Sequence, residues 1–476
     1  MKYLSELTGG IVITGANFKK DVPVSGLAQH SKKVRPGYIF FVSSDEAEKY
    51  IDDAMKNGAS LVCGEKTYEN VPCLTVKNVR RAVAVMSRAF YDYPDKKLSI
   101  VGVVGTNGKT TTTKILGDIF SYCGCRTAVI GTLGVFIGSD RYKIDRTTPD
   151  SPEFFAYLAE AAGNNVQYVF CEISAHAIYF EKLYGIKCDL CVFTNFSQDH
   201  LDFFKTMEEY KNVKMSYFTS KNMKCAVVNA DDPVGREIIN NNDICSVSYG
   251  MFHPSDAFAV NVEFSVGTDF VANIFDDVMY IHSPLYGEYN VSNLLAALTV
   301  GKLLGLTREE LERATLALND VEGRFNVINW RSKIIIDYAH TPDGLKRVLT
   351  CARRLCTRNL YCVFGCGGDR DRSKRPIMGK IASELSDVVV LTSDNPRSED
   401  PEEIIRQIKA GVVKQVFTVP DRAKAVRFAL TEARPGDVVV LCGKGAEEYM
   451  EIAGEKIPYS DKQTCLDFIG SYHCHA

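Results

Sequence analysis

The chain has 476 residues, 46% hydrophobic and 24% charged, with a formal net charge of −3. That length suggests roughly two to four domains of an ordinary globular protein. The near-neutral charge gives no basic field for nucleic acid, and no apolar run approaches the ~20 residues of a membrane span. The start, Met1-Lys2-Tyr3-Leu4-Ser5-Glu6, lacks the apolar core of a signal peptide. A cytoplasmic protein acting as a monomer, with no nucleic-acid partner and no membrane span, is expected.

Residues 1–97 carry short apolar runs at 38–42, 60–63 and 73–76 with helical patterns between them. This predicts a small α/β domain closed by Tyr93-Pro94-Asp95. From 98 to 325 the alternation is regular, with strands predicted at 98–104, 127–131, 166–173, 190–194 and 226–229. A parallel sheet covered by helices follows from it. Residues 258–283 alternate apolar and polar side chains without helices and predict an antiparallel extension. From 326 to 476 a third α/β unit is predicted, with strands at 333–336, 360–364, 388–391, 415–418 and 438–441. Ligands in open α/β sheets bind at the carboxyl ends of strands, so its strand-end loops are where a second substrate is expected.

The strand at 98–104 runs into Gly105-Thr106-Asn107-Gly108-Lys109-Thr110-Thr111, and a helix is predicted over 112–122. Strand, glycine loop and helix form the geometry that holds a nucleotide's phosphates. Glycines let backbone N–H groups approach the oxygens, and the helix N-terminus adds its positive dipole end. Lys109 would reach the terminal phosphates and the Thr110 hydroxyl would ligate Mg²⁺. ATP is therefore the expected co-substrate. A strict Gly-x4-Gly-Lys-Thr loop would need glycine where Val103 stands; the glycines here are Gly102, Gly105 and Gly108.

Three further segments follow. Glu172, in Cys171-Glu172-Ile173-Ser174-Ala175-His176, stands at the end of a buried strand. Asp199-His200 ends another, in Phe193-Thr194-Asn195-Phe196-Ser197-Gln198-Asp199-His200-Leu201-Asp202. Lys214 lies on a helix predicted over 207–219. Singly, each has an ordinary reading as a surface acid, a capped core histidine and a solvated lysine. Sixteen cysteines include one metal-like pair, Cys188-x-x-Cys191, expected just before a strand. Without a second pair at zinc spacing, reduced thiols packed as small hydrophobes are expected. The tail His473-Cys474-His475 is expected to fray.

In this order after Gly-Thr-Asn-Gly-Lys-Thr, the segments resemble the Mur ligase family, ATP-dependent amide-bond ligases that build the peptide of peptidoglycan. The resemblance covers nearly the whole chain. Gly287-x-x-Asn290-x-x-Asn293 resembles the family's Asn-rich helix start near the adenine, Glu322-Gly323-Arg324-Phe325 its interdomain arginine, and Asp337-Tyr338-Ala339-His340-Thr341-Pro342-Asp343 its hallmark opening the third domain. The resemblance implies three domains: residues 1–97 for the UDP-substrate, 98–325 for ATP and 326–476 for the amino acid. It implies ATP bound by Gly105 to Thr111 with Asn290, Arg324 and Asp337. It implies Mg²⁺ held by Thr110, Glu172, His200 and Lys214, the lysine as a carbamate, and catalysis by Lys109, Glu172, His200, Lys214 and His340.

Thr147-Thr148-Pro149-Asp150 resembles the muramyl-dipeptide loop of the branch that adds the third amino acid. Gly365-Cys366-Gly367-Gly368-Asp369-Arg370-Asp371, then Lys374-Arg375-Pro376, resembles that branch's third-domain signature, and Asp394-Asn395-Pro396-Arg397 its version for meso-diaminopimelate rather than lysine. Diaminopimelate carries a carboxylate where lysine has only a chain end, and Arg397 offers a bidentate clamp for it. Arg375 is expected to add a second charge-assisted bond, and Gly443 and Glu447 to finish the pocket with Asp394 and Asn395. The implied acceptor is UDP-N-acetylmuramoyl-L-Ala-D-Glu, bound by Ser31, Thr147, Thr148, Ser174 and Lys182.

The N-terminal domain departs from the family. Its uridine stretch usually reads Asp-Ser-Arg before x-Val-x-Pro-Gly; here it is His30-Ser31-Lys32-Lys33-Val34-Arg35-Pro36-Gly37. Ser43-Ser44-Asp45-Glu46-Ala47-Glu48 replaces a glycine-rich Asp-Gly-His loop, and Ala175 stands for a serine. The arginine expected in the substrate pocket is Lys182, or Glu181 if the register slips. Ala446 stands for a histidine. Two alternatives stay open: a divergent paralogue joining a diamino acid or related amine to another carboxylate, and an ATP-binding regulatory protein without turnover. The second need not keep Lys214 and His200 together, as this chain does.

Overall fold

The computed structural model describes residues 1–241, 243–265 and 267–473. Cys474 and His475 of the tail lie outside them. Three α/β units follow one another along the chain. The first is built on a sheet with the order Ile13–Ala16, Cys73–Val76, Leu61–Gly64, Tyr38–Phe41, Gly26–Ala28. Only the outer pair with Ile13–Ala16 is antiparallel. Tyr93 has a positive φ of 52° just before the short turn Pro94–Lys97 that leads into the second unit.

The second unit carries an eleven-stranded sheet among the described residues. At its centre lies Ser99–Val104. Val101 and Val103 feed the core on one side, Ile100 and Val104 the core on the other. A strand covered on both faces has to be apolar throughout, which is why it reads as a continuous run. Its parallel neighbours are Tyr168–Glu172 on one side and Cys188–Phe193 on the other. The strand next in sequence, Thr127–Gly131, lies beyond Tyr168–Glu172. Strand order therefore reverses at Ser99–Val104, and a crevice opens over its carboxyl end.

The antiparallel extension appears as Ala257–Ser265, Gly267–Ile274 and Asp277–Ser283 at one edge. The opposite edge holds a hairpin the sequence did not announce, Gly134–Ile137 with Asp140–Tyr142. Helix Glu288–Leu303 is apolar around most of its circumference because it is buried almost throughout.

Two expectations need correction. The helix after the glycine loop begins at Lys109 rather than 112. Its Thr-rich first turn has poor helix propensity, but Thr110 to Thr113 are buried against the sheet and packing decides. Cys188 and Cys191 lie within a strand rather than before it, and both are buried in the same core layer.

The third unit has the strand order Asn326–Asn329, Lys333–Asp337, Val438–Cys442, Leu360–Phe364, Val388–Leu391, Phe417–Thr418. All pairs but the first are parallel. Strand order reverses again, around Val438–Cys442. The loops after Asp337, Phe364 and Cys442 converge there. A hairpin, Tyr449–Ile452 with Glu455–Pro458, overhangs them.

Candidate active site

The glycine loop hangs on the end of the neighbouring strand. The Thr106 N–H donates to the Asn195 carbonyl at 2.8 Å and the Asn107 N–H to Asn195 Oδ1 at 2.9 Å. Thr194 Oγ1 and Asn195 Nδ2 donate back to the Asn107 carbonyl. A Cβ on Gly105 would run into Thr194 Oγ1, and one on Gly108 would sit 2.5 Å from Asn293 Oδ1. Gly108 also has a φ of +86°, a conformation that β-carbons disfavour. Asn293 in turn donates to Asn290, and Asn290 donates to the Tyr286 carbonyl. The Asn-rich helix start thus lies directly under the loop.

Lys109 Nζ donates to the carbonyls of Gly105 and Thr106, both at 2.9 Å. Burial pushes its pKa down. Thr110 Oγ1 donates to Glu172 Oε2 at 3.0 Å, and Thr132 donates to the same carboxylate from its N–H (2.7 Å) and its hydroxyl (3.1 Å). Glu172 comes from one strand flanking the loop and His200 from beyond the other, so the strand reversal sets them on either side of the loop.

Asp199 organises the far side. It is buried, yet held well below the usual carboxylate range because His200, His340 and Lys374 outweigh the cost of burial. Its carboxylate lies 3.4 Å from His200 Nε2, 3.6 Å from His340 Nε2 and 3.9 Å from Lys374 Nζ. His340 Nδ1 lies 2.8 Å from the Tyr338 carbonyl. His200 has a positive φ of 55°, strain of a kind that collects at functional sites. Burial pushes its pKa down to about 3, so the imidazole is neutral and able to ligate. The sequence displayed the Asp-His pair, but no spacing reveals that one carboxylate serves histidines from two domains.

Lys214 lies on Met207–Met215, 1% exposed, with Nζ 4.6 Å from the Tyr210 ring centroid. Burial, with Lys109 adding to it, holds its pKa well below the ordinary lysine value. A neutral amine is the form that adds to CO₂.

The third unit closes on this site. Arg324 NH2 donates to Thr110 Oγ1 at 3.3 Å, and its guanidinium stacks on Tyr338 at 4.3 Å. Asn107 Nδ2 donates to Asp343 Oδ2 at 3.0 Å and Gln198 Nε2 to Asp371 Oδ2 at 3.0 Å. Asp337 accepts the N–H groups of Phe325 and Ala339 and turns the chain there; burial raises its pKa.

At the second strand reversal, Asp394 lies against Gly443, where a Cβ would collide with Oδ2. Asn395 Nδ2 donates to Glu447 Oε2 at 2.9 Å. Lys444, in the same segment as Gly443 and Glu447, is buried and donates to Asn395 Oδ1 at 2.9 Å and Glu447 Oε2 at 2.5 Å. Arg397 donates from Nε to Glu451 at 3.0 Å and from NH1 to the Gly368 carbonyl at 2.7 Å. Arg375 stands elsewhere. It is fully buried and forked onto Glu399 at 2.9 Å through both terminal nitrogens, with Gln407 and the Gly367 carbonyl as further partners. In this conformation it braces the loop and does not face the pocket.

At the acceptor end, Thr148 Oγ1 donates to the Glu172 carbonyl at 2.7 Å and accepts the Ser174 N–H at 3.1 Å. Thr147 pairs with Thr132 at 3.1 Å. Lys182 Nζ pairs with Asp150 at 2.8 Å. Asp150 is also held by Arg146 at 2.6 Å and stands 3.8 Å from His30, so most of the lysine's charge is matched within the protein. Glu181 instead holds Arg81 and Asn78 on the first domain. Ser31 is buried on the first domain, its carbonyl taking Asn57 Nδ2.

The donor set suits a hard cation. Among the described residues no cluster of three His, Cys, Asp or Glu could enclose a metal alone. A hydroxyl and one carboxylate beside a phosphate loop suit Mg²⁺, which keeps several waters and is shared with nucleotide phosphates. Also among them, no helix is long and apolar enough to cross a membrane.

Fold and site together define a three-domain α/β nucleotide-dependent protein. Residues 103–301 match the Mur ligase middle domain and 323–445 the Mur ligase glutamate ligase domain. A UDP-N-acetylmuramoyl-L-alanyl-D-glutamate--2,6-diaminopimelate ligase of Clostridium acetobutylicum is 36% identical over 94% of this chain and 95% of its own. The ligase of that name from Aquifex aeolicus is 37% identical over 95% of each. A solved structure bearing that name superposes with a TM-score of 0.67 at 32% identity, over 95% of this chain and 96% of that one. The MurF ligase of Thermotoga maritima with ADP, at 20% identity and a TM-score of 0.67, shares the fold. The chain belongs to the Mur ligase family.

Proposed function

We propose that this ligase uses ATP and Mg²⁺ to join meso-diaminopimelate to the D-glutamyl γ-carboxylate of UDP-N-acetylmuramoyl-L-Ala-D-Glu, in peptidoglycan precursor synthesis. What carries the reading is that similarity to ligases so named runs through the amine-binding third domain as well as the ATPase core.

A carboxylate resists attack by an amine until its oxygen becomes a leaving group. The γ-phosphoryl of ATP passes to the acceptor carboxylate, the amine attacks the acyl phosphate, and phosphate leaves. Such transfer rests on positioning and charge neutralisation. Lys109 and the loop N–H groups steady the phosphates, while Arg324 brings a positive charge from the closing domain. Thr110 would hold one Mg²⁺ at the phosphates, and Glu172, His200 and a carbamylated Lys214 a second; both would supply charge neutralisation. Lys214 as an ammonium would repel the second ion; carbamylation makes the lysine an anionic oxygen ligand. His340, fixed by Tyr338 and Asp199, is placed to orient the phosphates or the incoming amine. Arg397 has one terminal nitrogen without a protein partner among the described residues, suited to the distal carboxylate of diaminopimelate, with Glu447 and Asp394 toward its ammonium. Arg375 positions Glu399 rather than touching substrate.

The test is phosphate release from ATP with that acceptor, comparing meso-diaminopimelate with L-lysine and recording product mass. Turnover with diaminopimelate alone is expected. ATP binding without turnover on either amine would overturn the acceptor assignment and turn attention to the Lys182–Asp150 pair.

A further inference from the structure

Strands Met223–Asn229 and Cys245–Gly250 run in parallel side by side, and their register sets Cys225 opposite Cys245. The two sulfurs lie 3.1 Å apart. Neighbouring strands stand ~4.8 Å apart, inside the ~4.4–6.8 Å Cα separation that a disulfide spans. Cys245 is exposed and Cys225 half-buried, so one thiol is open to solvent and the other sits directly behind it. Both lie toward the amino ends of their strands, remote from the carboxyl ends that carry Glu172 and His200. Cys362 and Cys442, by contrast, are fully buried in the third domain.

We infer that Cys225 and Cys245 form a dithiol modification site, oxidised reversibly to a cross-strand disulfide by low-molecular-weight disulfides. The Cys245 thiolate attacks one sulfur of the small disulfide; that S–S bond breaks and one small thiolate leaves. The Cys225 thiolate then attacks the Cys245 sulfur of the mixed disulfide and expels the second small thiolate. The protein dithiol gives up two electrons and two protons, and the reagent becomes two thiols. The new bond closes the segment carrying helix Pro233–Ile239, together with Asn229 and Asp232, which hold the Thr194 carbonyl and the Phe196 N–H beside the glycine loop. A cross-link of this kind restricts the unfolded chain, so the oxidised protein melts higher.

The full chain, native and fully reduced, is titrated with oxidised glutathione. Remaining thiols are alkylated and the protein is digested with trypsin, which can cut at Arg236 between the two cysteines. The expected result is loss of two hydrogens and a Cys225–Cys245 cross-linked peptide before any buried cysteine reacts. C225S should stop at a glutathione adduct on Cys245. C245S, changed at an exposed position, should keep its fold and give neither product. Alkylation of both thiols across the whole titration, or a glutathione adduct on Cys245 that persists in the parent protein, would overturn the inference.

Discussion

Lys214 is a residue whose chemistry is set by where it is put. Tyr210 lies over it, and no side chain of the described residues pairs with its amine in an ion pair, so burial favours the neutral form. Lys214→Ala should lose at least about a hundredfold in kcat, the scale of losing a key electrostatic group, and a small added carboxylate should restore part of it. Indifference to both would remove Lys214 from the metal site. At Gly108 the limit is steric: Gly108→Ala places a methyl against Asn293 in a left-handed backbone. Weaker ATP binding together with a lowered melting temperature is expected, measured by calorimetric titration and thermal denaturation.

At the scale of elements, the loop joining strand Leu360–Phe364 to helix Lys374–Leu385 is held by the Arg375–Glu399 fork. Removing one partner of a buried pair typically costs about 3–5 kcal/mol. Glu399 has its pKa lowered from 4.5 to about 2, chiefly by its hydrogen bonds to Arg375. A depressed carboxylate contributes stability in full above its unfolded pKa and loses it as pH falls through the folded one. Glu399→Gln should therefore melt well below the parent at pH 7, and the gap should narrow as pH falls from about 4.5 toward 2. A gap independent of pH would place the stabilisation elsewhere.

Elements were largely legible where burial imposes a pattern. Ser99–Val104 and Leu360–Phe364 are covered on both faces and could only be apolar. Asp140–Tyr142 and Glu455–Pro458 are short, polar edge strands; their pairing supplies what their composition does not. Glu172 took a role only from the order of the segments together; the glycine loop could be read locally, since a strand end and a helix start generate it. Asp199 could not, because its partner His340 arrives from another domain, and neither could the inward turn of Arg375, whose partner Glu399 lies across a loop.

For the whole molecule, closure joins the glycine loop and the neighbouring segment after Phe193 to the chain that leads into and forms the third domain, through Arg324–Thr110, Asn107–Asp343 and Gln198–Asp371. The exposed ion pairs Lys143–Glu448 and Lys456–Asp145 also cross the gap, but such pairs contribute at most about 1 kcal/mol each and are screened by salt. The closed form should therefore survive moderate salt and depend on Asp343. Asp343→Ala should raise the radius of gyration with nucleotide bound, by small-angle scattering, and lower kcat/KM about tenfold, the scale of one hydrogen bond to a charged group. An unchanged scattering profile would assign closure to the other contacts.

The reversal of strand order at Ser99–Val104 also bears on how the chain is made. During synthesis this strand leaves the ribosome before either of its neighbours exists. Both of its edges stay unpaired until Tyr168–Glu172 and then Cys188–Phe193 have followed. Bare edges on an apolar strand invite pairing with other chains. The nascent middle domain therefore passes through an interval in which its future phosphate-binding strand is open to pairing with other chains on both edges, before any nucleotide could bind.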